Sequence, residues 1–232
     1  MGATLTGVLD SYQKGGTTLL NGILGYWKLN ESSGQALDSV STNNGTLTGC
    51  VFDNDGGKIA GAVSFDGIVG SNVSMGHIHA LQPTTISISV WAYGGVGYSS
   101  IVSNWDFETT YKGYNLWFSN GYPYFGADCV SAGSSITGST PSLEAWVHLV
   151  ATYDGDYLRL YRNGTSNATA VALDDELTYV TNSIFYLGHC PQGVVNDYDG
   201  WIDEVGIWNR ALTQTEITEL YNGGSGKTYP FS

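Results

Sequence analysis

Short runs of alternating side chains, each closed by a glycine-containing turn, follow one another from Ile23 to the end of GWIDEVGIWN. That punctuation, more than any single residue, limits what this chain can fold into. In HLVATYDGDYLRLYRNG (His148 to Gly164), Leu149, Ala151 and Tyr153 alternate with His148, Val150 and Thr152, the period of a strand with two distinct faces. Asp154-Gly155 supplies hairpin turn chemistry, Leu158 and Leu160 resume the alternation, and Asn163-Gly164 marks a second turn. GYWKLNE, AGAVSFDG, TTISISVWAYG, SIVSNW, YNLWFSNGYPYFGA and IFYLGH continue the series. Strands at this density predict an all-β fold, a two-sheet antiparallel sandwich. One short C-terminal helix is expected. Thr213 and Glu216 form a capping-box pattern, Ile217, Leu220 and Tyr221 share a face, and Gly223-Gly224 terminates it.

Composition agrees. Thirty-two glycines, seven tryptophans and sixteen tyrosines describe many turns joining aromatic-rich strands, and 42% apolar residues suffice for a core without disulfides. At 232 residues the chain fits one large all-β domain. Residues 1–22 are small, polar and Gly/Thr-rich and read as an arm or linker, leaving residues 23–232 as the domain. The net charge of −13 disfavours nucleic acid and anionic membrane surfaces, and no apolar run reaches membrane-spanning length, so membrane insertion is not expected. Cys50, Cys129 and Cys190 match no metal knuckle or redox pair and read as buried or semi-buried free thiols. The first twenty residues lack a basic segment followed by an apolar run, which predicts no signal peptide.

The order of several motifs resembles a known family. GYWKLNESSGQALDSVSTNNGTLTG, VSFDG, AWVHLVATYDGDYLRLYRNG, IFYLGH and YDGWIDEVGIWNRALTQTEITELYNGG look like the laminin-G-like, concanavalin A-like jelly rolls, over roughly Ile23 to Gly224. The branch they resemble is found in bacterial secreted proteins and phage virion proteins. The resemblance implies a jelly-roll sandwich and a structural calcium ion at its rim, held by oxygen ligands. Asp66 (in Phe65-Asp66-Gly67) and Asp203 (in Trp201-Ile202-Asp203-Glu204) stand at the family's acidic positions, with Asp38 as a third. The alternative is that these acids cap turns. Glu204 would face away from Asp203 on a regular strand.

The fold also carries glycoside hydrolases, which need two carboxyls roughly 5–9.5 Å apart. The family's Glu-x-Asp-x-x-Glu signature is missing, Asp106 and Glu108 fall in an irregular segment, and no serine or cysteine nucleophile motif is present. Aromatic residues remain. Trp105, Tyr111, Tyr122 and Tyr124 lie in Gly/Asn-rich stretches read as connections, where they could stack on a sugar ring. The function expected is non-enzymatic adhesion or display. The jelly roll would bind a glycan or cell-surface ligand on a virion surface, as a head-decoration or fibre protein. The arm would dock on the virion shell or on neighbouring copies, including as a homo-oligomer. The alternatives are a carbohydrate-binding module of a secreted bacterial enzyme, acting extracellularly, and a glycoside hydrolase.

Overall fold

The alternating runs pair into two sheets in which every ladder is antiparallel. The computed structural model describes residues 17–95, 97–106, 112–128, 133–141, 144–191 and 197–232. Strands β1 (Ile23–Trp27), β2 (Thr46–Thr48), β3 (Val51–Asp53), β4 (Ala62–Asp66), β5 (Asn72–Gly76) and β6 (Ile86–Gly94) come first. They are followed by β7 (Tyr98–Asp106), β8 (Lys112–Ser119), β9 (Tyr122–Asp128) and β10 (Gly133–Thr137). The last third holds β11 (Val147–Tyr153), β12 (Tyr157–Arg162), β13 (Thr165–Ser166), β14 (Val171–Ala172), β15 (Phe185–Leu187), β16 (Asp199–Trp208) and helix α1 (Gln214–Tyr221). A nine-stranded sheet runs β13-β12-β11-β6-β16-β4-β3, with β1 on the far half of β16 and β14 on β12. A seven-stranded sheet runs β10-β9-β8-β7-β15-β5-β2. Their facing sides form the main core, with Ile86, Ile88, Val90 and Ala92 of β6 opposed to residues such as Tyr114, Leu116 and Phe118 of β8.

The turns behave as their residues dictate. Asn163 (φ 50°) and Gly164 (φ 78°) close a two-residue hairpin between Arg162 and Thr165, and Asn120 (φ 51°) with Gly121 (φ 79°) does the same between β8 and β9. At Asp154-Gly155 the hairpin loop is longer, because the side chain of Asp154 accepts from the amides of Asp156 and Tyr157.

Part of the outer face of the nine-stranded sheet is also buried. Tyr26, Val150 and Trp208 pack there against Ile217 and Leu220 of α1, Leu212, Phe231 and Leu19. Polar side chains of that face are consequently enclosed yet paired: Ser87 donates to the Arg210 carbonyl at 2.7 Å and accepts from the Leu212 amide, and Ser89 pairs with His148 at 2.9 Å. Burial drops the His148 pKa to about 3, so the ring is neutral. The capping box of α1 is formed, and Glu216 does more than cap. It takes both guanidinium nitrogens of Arg210 (2.8 and 2.6 Å) and the hydroxyl of Thr18 (2.7 Å). Burial works to raise its pKa, but these hydrogen bonds win and hold it at about 2.

The boundary drawn after Gly22 therefore moves toward the N-terminus. Residues 17–22 belong to the domain: Thr18–Leu20 forms a 3-10 turn capped by Thr17, Leu19 is fully buried, and its carbonyl accepts from Trp208 Nε1 at 2.7 Å. The rest of the expected docking arm, residues 1–16, lies outside the described residues, as do Tyr111, Glu108 and Cys129. Cys50 and Cys190 are buried.

Candidate functional site

The residues singled out as calcium ligands do not form an ion site. Asp38 is buried and its carboxylate is filled by donors, from the amides of Tyr26 (3.1 Å), Val40 (2.9 Å) and Asn43 (3.4 Å) and the hydroxyl of Ser41 (3.0 Å). It organises the loop that follows β1. Asp66 is exposed at the end of β4, where Oδ1 accepts from the Ile68 amide and the Ser71 hydroxyl. Asp203 is fully buried on the covered face of β16, with Oδ2 accepting from the Ile59 amide at 2.8 Å. Burial raises its pKa to about 8, so the carboxyl is largely protonated at neutral pH. Calcium wants several ionised or carbonyl oxygens converging on one point. One of these carboxyls is saturated by donors, another is protonated, and no cluster of three His, Cys, Asp or Glu able to hold a metal occurs among the described residues. The three aspartates do not fit a calcium ion.

Glu204 also departs from the regular-strand expectation. A bulge between Asp203 and Gly206 puts Glu204 at φ 51°, and its Oε2 accepts from the Tyr26 hydroxyl at 2.5 Å. Both acids thus contact groups under the covering layer, Asp203 at Ile59 and Glu204 at Tyr26. Burial lifts the Glu204 pKa to about 7. These carboxyls are enclosed.

The accessible chemistry lies on the outer face of the seven-stranded sheet. In β8, Tyr114, Leu116 and Phe118 turn into the core, so Asn115 and Trp117 turn outward. The ladder register then lays out rows across four strands. Trp105, Gly113, Asp128 and Gly133 form one row; Ser103, Asn115, Gly126 and Ser135 the next; Ser100, Trp117, Tyr124 and Thr137 the third. Trp105 and Trp117 stand across a trough whose floor is glycine, and a cavity of about 430 Å³ is lined by both indoles with Gly126, Asp128, Gly133, Ser134 and Ser135.

The glycines are required by the side chains around them. A Cβ on Gly126 would come within 3.0 Å of the Trp117 ring, and one on Gly133 within 2.1 Å of Asp128 Oδ1. Gly113 holds φ 108°, and a Cβ there would collide with the Asn104 carbonyl. Trp117 is set in place by stacking on Tyr124 (5.2 Å, 17°) and by Tyr98 at 6.1 Å. Its indole N–H has no acceptor among the described residues. Partial burial raises the Asp128 pKa to about 6, which leaves it mostly ionised at neutral pH. The trough therefore offers two π surfaces, one carboxylate and the Ser135 hydroxyl within one small volume.

Of the aromatic residues expected to bind, Trp105 lines the trough, Tyr124 supports Trp117, and Tyr122 is exposed two positions before Tyr124 on the same face. Trp105 sits on β7, and Tyr122 and Tyr124 sit on β9, where Asn120-Gly121 makes a tight turn in place of the expected long connection. Trp117, Asp128 and the glycine floor were not singled out. The alternation of Leu116, Trp117 and Phe118 was the available clue to Trp117.

Comparisons with known proteins place this architecture. Residues 65–218, more than half of the chain, match the family model of the concanavalin A-like lectin/glucanases superfamily (Laminin_G_3). A 73-residue stretch is 34% identical to human pappalysin-1, covering 31% of this chain and 4% of that protein. Among solved structures, the binding domain of Paraclostridial Mosquitocidal Protein 1 superposes with a TM-score of 0.69 at 15% identity, over 88% of this chain and 52% of that one. Domain 4 of AbnA, a GH43 extracellular arabinanase from Geobacillus stearothermophilus solved with arabinotriose, gives 0.63 at 18% identity, over 85% and 97%. This chain thus spans 4% of pappalysin-1 and about half of the mosquitocidal binding domain. By its family match, its two antiparallel sheets and its capped C-terminal helix, the chain belongs to the concanavalin A-like lectin/glucanases superfamily.

Proposed function

We propose that this protein is a non-catalytic carbohydrate-binding jelly roll and that the trough between Trp105 and Trp117 takes a glycan chain. The observation that carries the reading is the pair of outward indoles across a glycine floor. A pyranose or furanose ring presents C–H groups on its faces and hydroxyls on its edge. The indoles suit the faces, and Asp128 and Ser135 suit the edge. Among the described residues lining the trough there is one carboxyl, Asp128, where glycoside hydrolysis uses two, and this favours binding over cleavage. The likeness to an arabinanase domain solved with arabinotriose, and to the binding domain of Paraclostridial Mosquitocidal Protein 1, supports the same choice. The test is calorimetry against a panel of oligosaccharides that includes arabinotriose. Trp117→Ala is expected to weaken binding by about 2 kcal/mol, roughly thirtyfold in Kd. Release of reducing ends from any panel member, or binding that survives both Trp105→Ala and Trp117→Ala, would overturn the proposal.

A further inference from the structure

The opposite side of the sandwich carries a second aromatic site of a different shape. Tyr93 of β6 pairs with Trp201 of β16, and Trp146, immediately before β11, packs on Tyr93 from the other side, on the part of the outer face that the helix and C-terminal segment leave uncovered. The ring of Tyr93 stands at 85° to Trp201 (5.3 Å between centroids) and at 62° to Trp146 (5.9 Å). With Gly56 these three rings bound an open cavity of about 190 Å³. Gly56 cannot carry a side chain here: a Cβ would lie 2.3 Å from Asp53 Oδ2 and 2.8 Å from Trp201 Nε1. The indole N–H of Trp201 donates to Asp53 Oδ2 at 2.9 Å, and Asp53 Oδ1 accepts from the amides of Asp55 and Gly56. A carboxylate is thereby fixed directly behind one wall of the cavity.

The shape selects among ligands. A sugar ring is flat and lies along one π face, with polar groups at its rim, as in the trough of the other sheet. Here Tyr93 meets Trp201 and Trp146 at steep angles, and the three rings with one glycine line a small space walled by aromatic carbon. That arrangement suits a compact cation with an apolar surface, and the adjacent carboxylate and the net charge of −13 add to the attraction. The same sheet face already places an ammonium on an indole, with Lys58 Nζ 4.6 Å from the Trp91 ring centroid.

We propose that Tyr93, Trp146 and Trp201 form an aromatic cage for a quaternary ammonium group, on the opposite side of the sandwich from the sugar trough. The probe is choline chloride, followed by the indole N–H resonances of the tryptophans, with 3,3-dimethylbutan-1-ol as the uncharged carbon isostere. Choline should shift the Trp146 and Trp201 resonances in a saturable manner and leave Trp105 and Trp117 in place, while the isostere shifts none. Trp201→Leu, and independently Trp146→Leu, should each raise the choline Kd at least about tenfold. Unchanged melting temperatures would show that both variants are folded. Binding to phosphatidylcholine vesicles as well as to choline would assign the cage to a lipid headgroup, and binding to choline alone to a soluble or polymer-borne one. Equal shifts with the isostere, no shift with either, or a response of these two indoles to oligosaccharides alone would overturn the proposal.

Discussion

The outer faces of the two sheets use the same aromatic residues to opposite ends. On the nine-stranded sheet, Trp208 is fully buried, its N–H is donated to Leu19, and Leu19, Phe231 and helix α1 pack over it. On the seven-stranded sheet, Trp117 leans on Tyr124 above a glycine floor, with its N–H unpartnered among the described residues and exposed Tyr98 and Tyr122 close by along the strands. The difference teaches that aromatic content alone says little about binding. What separates these two indoles is whether the fold covers the ring: Trp208 lies under a packed layer, and Trp117 lines an open trough.

The comparison breaks most visibly by truncation. Trp208→Ala should cost about 3–5 kcal/mol, read from the urea midpoint, whereas Trp117→Ala should cost about 1 kcal/mol or less because its ring is only half enclosed. Similar losses at both positions would mean that the open face is structural after all.

A second contrast is in pH. Asp203 and Glu204 beneath the cover hold their protons to about pH 8 and 7, mainly because burial disfavours the charge. Unfolded, they release them near pH 4. Between those limits the folded state binds more protons, so this pair favours folding most at low pH, and that contribution declines as pH rises toward 8. The decline should be on the order of a few kcal/mol, and Asp203→Asn should remove much of it. Urea midpoints at pH 5 and 8 measure it; parallel profiles for wild type and variant would contradict the burial argument.

On the open face the titration acts on binding instead. Asp128, with a pKa near 6, is the acceptor proposed for the sugar edge, so sugar affinity should fall as pH drops through 6. Asp128→Asn should flatten that profile. The smallest effect expected is from Gly133→Ala, whose Cβ would displace the Asp128 carboxyl without touching the core. Affinity should drop several-fold, about 1 kcal/mol, with little change in the melting temperature.

Much of the fold was legible because its determinants are local. Asn163-Gly164, the Thr213/Glu216 capping box and the alternation in β11 each act over a few residues. What escaped is non-local. Leu19 packs with Trp208, 189 residues away, and no periodicity near Leu19 reports that. The bulge at Glu204 breaks the face assignment that strict alternation would give. The candidate site is half visible in the sequence. Trp105, Tyr122 and Tyr124 were picked out by type and surroundings, but the trough depends on strand register, which brings Gly113, Gly126 and Gly133 beneath two indoles from different strands. The calcium expectation rests on motif resemblance; the donors that fill Asp38 and the burial of Asp203 leave exposed Asp66 as the one of the three free to face an ion.

The central claim is that the open face of the seven-stranded sheet binds carbohydrate while the covered face stabilises the fold. The most direct measurement follows all seven tryptophan indole N–H resonances during titration with an oligosaccharide that the calorimetric panel identifies. Trp105 and Trp117 should move with one common Kd, and Trp27, Trp91 and Trp208 should stay where they are. Saturable shifts confined to residues of the nine-stranded sheet, with Trp105 and Trp117 unmoved, would contradict the account.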